Sequence, residues 1–431
     1  MSPLRAVWND YLEAGRAFSR PARRYLTAEL LAWTGNGVFQ VLFNLYLVQG
    51  GFKESFVGRA VSLNALGLAL AALPAGVLAD RWGRRRCLLA GAALDGTGML
   101  VRSIALSPGL ICGASFLAGV GQSLLTIAAA PFLTEHSTPK ERTHLFSTFF
   151  ATALTAGVVG SVIGGLTPSL LERLPGALRP DLLHAYRATL VLGAVLALSA
   201  VLPLLSLRGL IEPPIDKASA PATPQAIRVL APIATNAFLI GAGAGLVIPF
   251  MNLYFHTRFG CSSGQIGLFF SLAQVMTAAA ALLGPALARR FGKLRTAVSS
   301  QLLSLPFLVT LGAESHLPVA VGAFWIRATL MQASTPLLQA FVMEALTPAL
   351  RARSSSLNNM VWNTGWAVSA TLAGSIIQHF GYATPFYITA VLYATASVYF
   401  YLAFRGLPET GTPPRLSEEA KGLRGEGALT E

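Results

Sequence analysis

Gly76-Val77-Leu78-Ala79-Asp80-Arg81-Trp82-Gly83-Arg84-Arg85-Arg86 sits between two apolar runs, each long enough to cross a bilayer. Its arginines cannot enter hydrocarbon, so the stretch reads as a basic hinge at a membrane face. Gly76 and Gly83 let two helix ends approach closely and turn sharply. Asp80 is placed to accept from helix N-terminal amides or to pair with an arginine. The segments on either side are expected to be helices, because backbone polar groups in lipid must be satisfied within the segment.

Composition extends that reading to the whole chain. The 431 residues are 53% hydrophobic and 12% charged, with a mean hydropathy of +0.57. Soluble domains carry about 25% charged residues. Most of this chain therefore faces lipid or other buried helices. The net charge of +13 would suit nucleic acid, but the charges fall between apolar runs, and no nucleic-acid partner is expected. Cys87, Cys112 and Cys261 lie far apart, with no CxxC. The six histidines form no HExxH and no Cys/His cluster, and there is no GxxxxGK phosphate loop. No metal, no cofactor, no ATP hydrolysis and no enzymatic activity are expected. Residues 1–24 lack the apolar core of a cleavable signal; they read either as an interfacial amphipathic helix or as a mobile tail.

Runs of roughly twenty apolar residues repeat along the chain. They are placed at 25–48, 56–78, 88–106, 110–134, 145–166, 186–207, 229–254, 266–288, 294–312, 317–346, 357–377 and 385–404. The distribution of Lys and Arg sets the orientation. With the N-terminus cytoplasmic, that side collects the arginines of residues 5–24 and of the 81–86 loop. It also collects Lys140, Arg142, the linker bases, the 289–295 loop, Arg351, Arg353 and the C-terminal bases. Lys53, Arg59, Arg102, Arg173, Arg179, Arg187, Arg258 and Arg327 are left as external or intramembrane. A multi-pass protein of the inner cell membrane, with both termini cytoplasmic and acting as a monomer, is expected.

The two halves repeat at a register of about 209 residues. Glu135-His-Ser-Thr138-Pro139 with Arg142 recurs as Glu344-Ala-Leu-Thr347-Pro348 with Arg351. Gly58 matches Gly267, Gly83-Arg84 matches Gly292-Lys293, and Asn44-Leu-Tyr46 recurs as Asn252-Leu-Tyr254, shifted by one. The prolines at 213, 214, 221 and 224 mark a linker. The expected organisation is a cytoplasmic tail 1–24, a six-helix bundle 25–207, a linker 208–228, a second bundle 229–405 and a tail 406–431.

The 76–86 stretch resembles the loop between the second and third helices of the major facilitator superfamily, G-x-L-a-D-r-x-G-r-[RK]. Gly76, Leu78, Ala79, Asp80, Arg81, Gly83, Arg84 and Arg85 match. The resemblance runs from Tyr25 to about Arg405. It implies an all-α membrane fold, twelve transmembrane helices in two pseudo-symmetric bundles of six, working by alternating access. It also implies gating residues: Gly76, Asp80, Arg81, Gly83, Arg84, Glu135 and Arg142, with Glu344 and Arg351 as the counterpart in the second half. Asp80→Asn is expected to cut transport. The second basic loop departs from the pattern, with Arg289 where an aspartate is expected. Gly157-Val-Val-Gly160-Ser161-Val-Ile-Gly164-Gly165 resembles the family's antiporter motif G-x-x-G-P-x-x-G-G, with serine replacing proline.

Polar groups inside lipid usually face a cavity or another helix. Asn36, Gln40 and Asn44 share a helix face by their spacing of four. Asn252 follows Gly241, Gly243 and Gly245 in helix seven. Arg327, Gln332, Ser334 and Gln339 lie in helix ten, and Asn359, Trp362, Asn363 and Trp366 in helix eleven. Of these, Asn36, Gln40, Asn44, Asn252, Arg327, Gln332, Asn359, Trp362, Asn363 and Trp366 are the candidate substrate-binding residues. Arg327 lies near mid-membrane, where a charge needs a partner, either an anionic ligand group or a carboxylate. Glu29 and Asp95 are the candidates for proton coupling; Glu29 resembles a helix-one acid of some proton-coupled exporters of the family.

These residues point to a secondary transporter of a small organic molecule, leaning to proton-coupled efflux of amphipathic compounds. A carrier for an anionic metabolite is the alternative. A membrane receptor that kept the fold without transport is a third reading.

Overall fold

The computed structural model describes residues 18–175, 180–207, 224–346 and 348–406. Among them the secondary structure is helical, without strands. Twelve long helices follow in order: α1 (Arg20–Gln49), α2 (Glu54–Trp82), α3 (Arg84–Ile104), α4 (Pro108–Glu135), α5 (Pro139–Leu171), α6 (Leu182–Ser199), α7 (Pro224–Val247), α8 (Ser263–Phe291), α9 (Lys293–Ala313), α10 (Leu317–Ala345), α11 (Pro348–Phe380) and α12 (Ala383–Phe404). A short helix, Val201–Leu205, prolongs α6.

Local chemistry places the boundaries. Ser19 caps α1, accepting from the Ala22 N–H at 3.3 Å, with proline in the first turn. Thr138 with Glu141, and Ser262 with Gln265, form capping boxes for α5 and α8. Gly83 (φ 91°) and Gly292 (φ 86°) each separate two helices by one residue, in a backbone region that disfavours other side chains. These two turns are the repeated basic loops.

Three expectations shift. Helix α1 begins at Arg20, so the end of the expected 1–24 tail is already helical; residues 1–17 lie outside the described residues. The expected single helix over 229–254 is interrupted. After Val247 comes a 3-10 turn, Ile248–Phe250, and a new helix, Met251–Phe259. Pro249 has no N–H for the helical ladder, which accounts for the break. Most of the expected linker (208–223) and nearly all of the C-terminal tail (407–431) lie outside the described residues.

Among the described residues, eight helical spans are long and apolar enough to cross a membrane. They include α2, α3, α4, α9 and α12. The other long helices are α1, α8, α10 and α11; α1, α10 and α11 hold most of the polar candidates, including Gln40, Arg327, Gln332 and Asn359.

Because successive helices reverse direction, α1 starts and α12 ends at the same end of the molecule, here the terminal end. The opposite, distal end carries the α1–α2, α7–α8 and α11–α12 connections. At the distal end one apolar core runs through both halves, joining Val38, Tyr46 and Phe56 to Tyr254, Phe255 and Phe324. At the terminal end the described residues form separate cores. Tyr25, Leu88, Phe132 and Leu204 belong to the first half; Ile233, Leu294, Phe341 and Phe400 belong to the second.

The cross-half contacts repeat as the sequence does. A Cβ on Gly58 of α2 would come within 3.3 Å of Gly374 Cα in α11; a Cβ on Gly267 of α8 would come within 2.8 Å of Gly165 Cα in α5. Ser62 donates to the Ala367 carbonyl, and Ser271 donates to the Val158 carbonyl at 3.3 Å. Each pair is the other displaced by the repeat. Lipid offers little hydrophobic drive for helix association, so small residues that let backbones touch are what hold these crossings.

Candidate functional site

The helix-five glycines divide their work between two neighbours. Gly160 and Gly164 lie against α1, at Gly37 and Val38. Gly157 and Gly165 lie against α8, at Gln274 and Gly267. Ser161, which replaces the motif's proline, accepts from Gln274 Nε2 at 3.3 Å. A proline there offers no hydroxyl, so this departure adds a polar tie between the halves.

The polar candidates of α1 separate by direction. Gln40 is uncovered, as are Leu30 (39% exposed) and Trp33 (40%) on the same side of the helix. Asn36 donates to Asp95 Oδ2 on α3 at 3.3 Å and to the Ala32 carbonyl at 3.1 Å. Asn44 is buried and donates to the Pro249 carbonyl at 2.5 Å, while Asn252 donates to the Val41 carbonyl at 2.9 Å. The shared face expected of Asn36, Gln40 and Asn44 is therefore split. In this conformation Asn44 and Asn252 are occupied with the opposite half's backbone.

In the second half Asn359 is uncovered, and Trp362 and Trp366 are partly covered with ring centroids 5.0 Å apart. Asn363 is buried and donates to the Asn359 carbonyl at 2.8 Å. Gln332 and Gln339 of α10 are uncovered, two turns apart on one side of the helix. Phe238 of α7 is 40% exposed. Trp33, Gln40, Phe238, Gln332 and Asn359 are thus uncovered and Trp362 and Trp366 partly so: aromatic and polar side chains without a full charge, on helices α1, α7, α10 and α11.

Arg327 does not join that face. It is 4% exposed, and Nη2 donates to Tyr393 of α12 at 3.4 Å, while Nε is buried without a partner. Ser334, one side of the same helix, accepts from Gln301 of α9 at 3.2 Å. Arg327 therefore points into the second bundle. Among the described residues no carboxylate forms an ion pair with it.

The two acids differ in company. Glu29 accepts from Tyr25 Oη at 3.0 Å and from Trp33 Nε1 at 2.6 Å, both from its own helix at spacings of four. Its partners are neutral, and one of them is the uncovered Trp33. Asp95 accepts from Asn36 and shares its surroundings with Arg102, whose guanidinium lies 4.7 Å from the Phe39 ring centroid and 4.8 Å from that of Phe43. Sequence reasoning missed Trp33 and Phe238, single aromatics with no repeat partner. The spacing Tyr25–Glu29–Trp33 was the available signal.

At the terminal end the repeated charges pair within each half. Arg84 binds Glu135 at 2.5 Å, with both side chains mostly buried (13% and 15% exposed). Lys293 binds Glu344. Of the expected second-half counterparts, the Arg351 side chain lies outside the described residues, and Glu344 pairs with the residue that repeats Arg84. Arg142 braces the α4–α5 turn through the Thr134 and Ser137 carbonyls at 3.2 and 3.3 Å. Arg81 and Asp80 are uncovered, and Asp80 forms no ion pair among the described residues. Gly83 makes the turn. Gly76 corrects the expectation of a close approach: it lies inside α2, and an added Cβ meets nothing within 4 Å.

Two repeated helical halves, joined at one end by a shared core and built largely of helices long and apolar enough to cross a membrane, define a multi-pass membrane protein. The chain belongs to the Major Facilitator Superfamily, whose family model matches residues 25–236 and 233–429. It is a transporter and not an enzyme. It is 25% identical over 394 residues to "Multidrug resistance protein MdtG" of Proteus mirabilis, covering 87% of this chain and 93% of that protein. The MFS-type transporter YceJ of Bacillus subtilis is also 25% identical, over 86% and 93% of the two chains. Among solved structures, a bacterial homolog of the human lysosomal transporter Spinster, inward-facing and occupied, superposes with TM-score 0.73 at 16% identity, covering 90% of this chain and 96% of that one. A D-xylose–proton symporter superposes with TM-score 0.69 at 15% identity, covering 91% and 99%. At these identities the structures speak for the fold alone.

Proposed function

We propose that the protein exports amphipathic small molecules across the inner membrane by alternating access, driven by proton antiport. The observation that carries this is the set of uncovered aromatic and amide side chains on α1, α7, α10 and α11 (Trp33, Phe238, Gln40, Gln332 and Asn359, with Trp362 and Trp366 partly covered), and Glu29 hydrogen-bonded to Trp33; in this reading they line one cavity. Aromatic faces and neutral amides accept varied apolar bodies with few directional demands. Similarity to MdtG, named a multidrug resistance protein, agrees with that reading. In this reading the termini are cytoplasmic and the terminal end, whose described residues form separate cores, is the end open to the cytoplasm.

In this reading Glu29 is the proton carrier. Among the described residues it has no ion-pair partner to lose when its charge changes, and it is hydrogen-bonded to the uncovered Trp33. Asp95 acts as the counter-charge of Arg102. The pairs Arg84–Glu135 and Lys293–Glu344 shape the terminal gate, with Asp80 free to engage when that end closes. Arg84→Glu is expected to lower transport at least about tenfold, and Arg84→Glu with Glu135→Arg to recover a substantial part, because reversing both charges keeps the attraction. Initial rates in vesicles check this; a double variant no better than the single removes the pair from the gate.

The overall reading is tested in proteoliposomes under an imposed pH gradient. The panel holds lipophilic cations and organic anions, with Arg327→Ala beside wild type. Movement of cations against the proton gradient, unaffected by Arg327→Ala, is expected. Anion movement lost with Arg327→Ala would replace export with carriage of an anionic metabolite.

A further inference from the structure

We infer that Asn44 and Asn252 form a reciprocal clasp that holds the distal end shut and sets how readily it opens. Each asparagine donates its amide to a backbone carbonyl of the opposite half, Asn44 to Pro249 at 2.5 Å and Asn252 to Val41 at 2.9 Å. In both cases the acceptor lies three residues before the partner asparagine. The two side chains also meet, Asn44 Nδ2 lying 3.4 Å from Asn252 Oδ1. The two bonds to backbone map onto each other when the halves are exchanged, whereas the side-chain contact runs one way, from Asn44 to Asn252.

The local backbone makes room for it. Helix α7 breaks into the 3-10 turn at Pro249, the residue whose carbonyl Asn44 uses. Asn252 Oδ1 accepts the Leu253 N–H at 2.9 Å, which fixes the orientation of its amide toward α1. Asn44 is 5% exposed and Asn252 1%, inside the apolar core that joins the halves. An amide left without a partner in such surroundings is costly, so the two bonds resist separation together. The apolar contacts around them are non-directional and would tolerate sliding. The clasp supplies register as well as strength. The serine ties at Ser62 and Ser271 lie farther from the junction of α1 and α7, on the α2–α11 and α5–α8 crossings.

The inference rests on the proposal that the halves rock about this junction. Spin labels at Lys53 and His379, both uncovered at the distal end on opposite halves, report its opening. They are placed in a background with Cys87, Cys112 and Cys261 replaced by alanine. Wild type is expected to show one dominant short distance. Asn44→Ala and Asn252→Ala are each expected to raise the longer-distance population about fivefold, to a similar degree, because each removes one bond to the opposite half's backbone together with the shared side-chain contact. The double variant should raise it further. If alanine forms are not monodisperse, Asn44→Ser and Asn252→Ser replace them with the same expected direction. A monodisperse double variant with the wild-type distance distribution overturns the clasp. The labels read distance without any substrate, so a protein that moved none of the transport panel would still decide this question.

Discussion

Glu29→Gln is expected to lower pH-gradient-driven transport at least about tenfold, while substrate exchange without a gradient stays within about twofold. The substitution keeps the side chain's length and its oxygen acceptor, so one of the bonds from Tyr25 Oη and Trp33 Nε1 can persist. What it removes is the change of charge. Trp33 is uncovered on the same side of α1 as Gln40, so a change at Glu29 reaches the lining through one hydrogen bond. Asp95→Asn should fail differently. It leaves Arg102, 7% exposed, without the opposite charge of Asp95 in its surroundings, and a buried charge with less compensation is costly. Loss of folded protein is therefore expected for Asp95→Asn, and uncoupling for Glu29→Gln. The paired measurement is the driven rate beside counterflow, each scaled to folded protein. Driven transport by Glu29→Gln at the wild-type rate would remove Glu29 from the coupling step.

The helices were legible because lipid leaves the backbone few options, and length and hydropathy report it directly. The terminal-end pairs were close to legible too. Gly83-Arg84 and Gly292-Lys293 repeat, as do Glu135 and Glu344, and the structure pairs each base with its own half's acid. Direction around a helix was harder. The depth of Arg327 follows from its place in α10, but that it turns toward Tyr393 depends on how α10 meets α12. Asn44 and Asn252 read as polar groups in lipid that a cavity would explain. That each instead meets a backbone carbonyl depends on the crossing of α1 with the broken helix α7. Gly76 shows the reverse case: a glycine inside a matching motif with open space around its Cα in this conformation. Motif identity reports a family's needs over a whole cycle, whereas one structure shows one stage of it.

Gly160→Leu is expected to abolish the fold's central crossing, whereas Gly76→Ala leaves it intact. A Cβ at residue 160 would lie 2.8 Å from Gly37 Cα and 3.1 Å from its carbonyl carbon, both backbone atoms of α1 that no rotamer change can move. Gly37 in turn would place a Cβ 3.0 Å from the Gly157 carbonyl oxygen, so neither helix has slack. Helices α1 and α5 must separate to admit the side chain. Helix α5 is also wedged against α8, so the displacement carries to Gln274 and Gly267 across the halves. Overpacking of this kind costs on the order of 3 kcal/mol or more. In lipid that loss is not returned by any gain in buried apolar area, since the helix surface was already apolar-solvated. At Gly76 an added methyl meets nothing, and alanine favours the helix by up to about 1 kcal/mol. Thermal denaturation of the detergent-solubilised protein separates the two: Gly160→Leu should yield little monodisperse protein or melt several degrees lower, and Gly76→Ala should melt at or above wild type. A Gly160→Leu protein as stable as wild type would mean that α1 and α5 do not cross at Gly37 and Gly160.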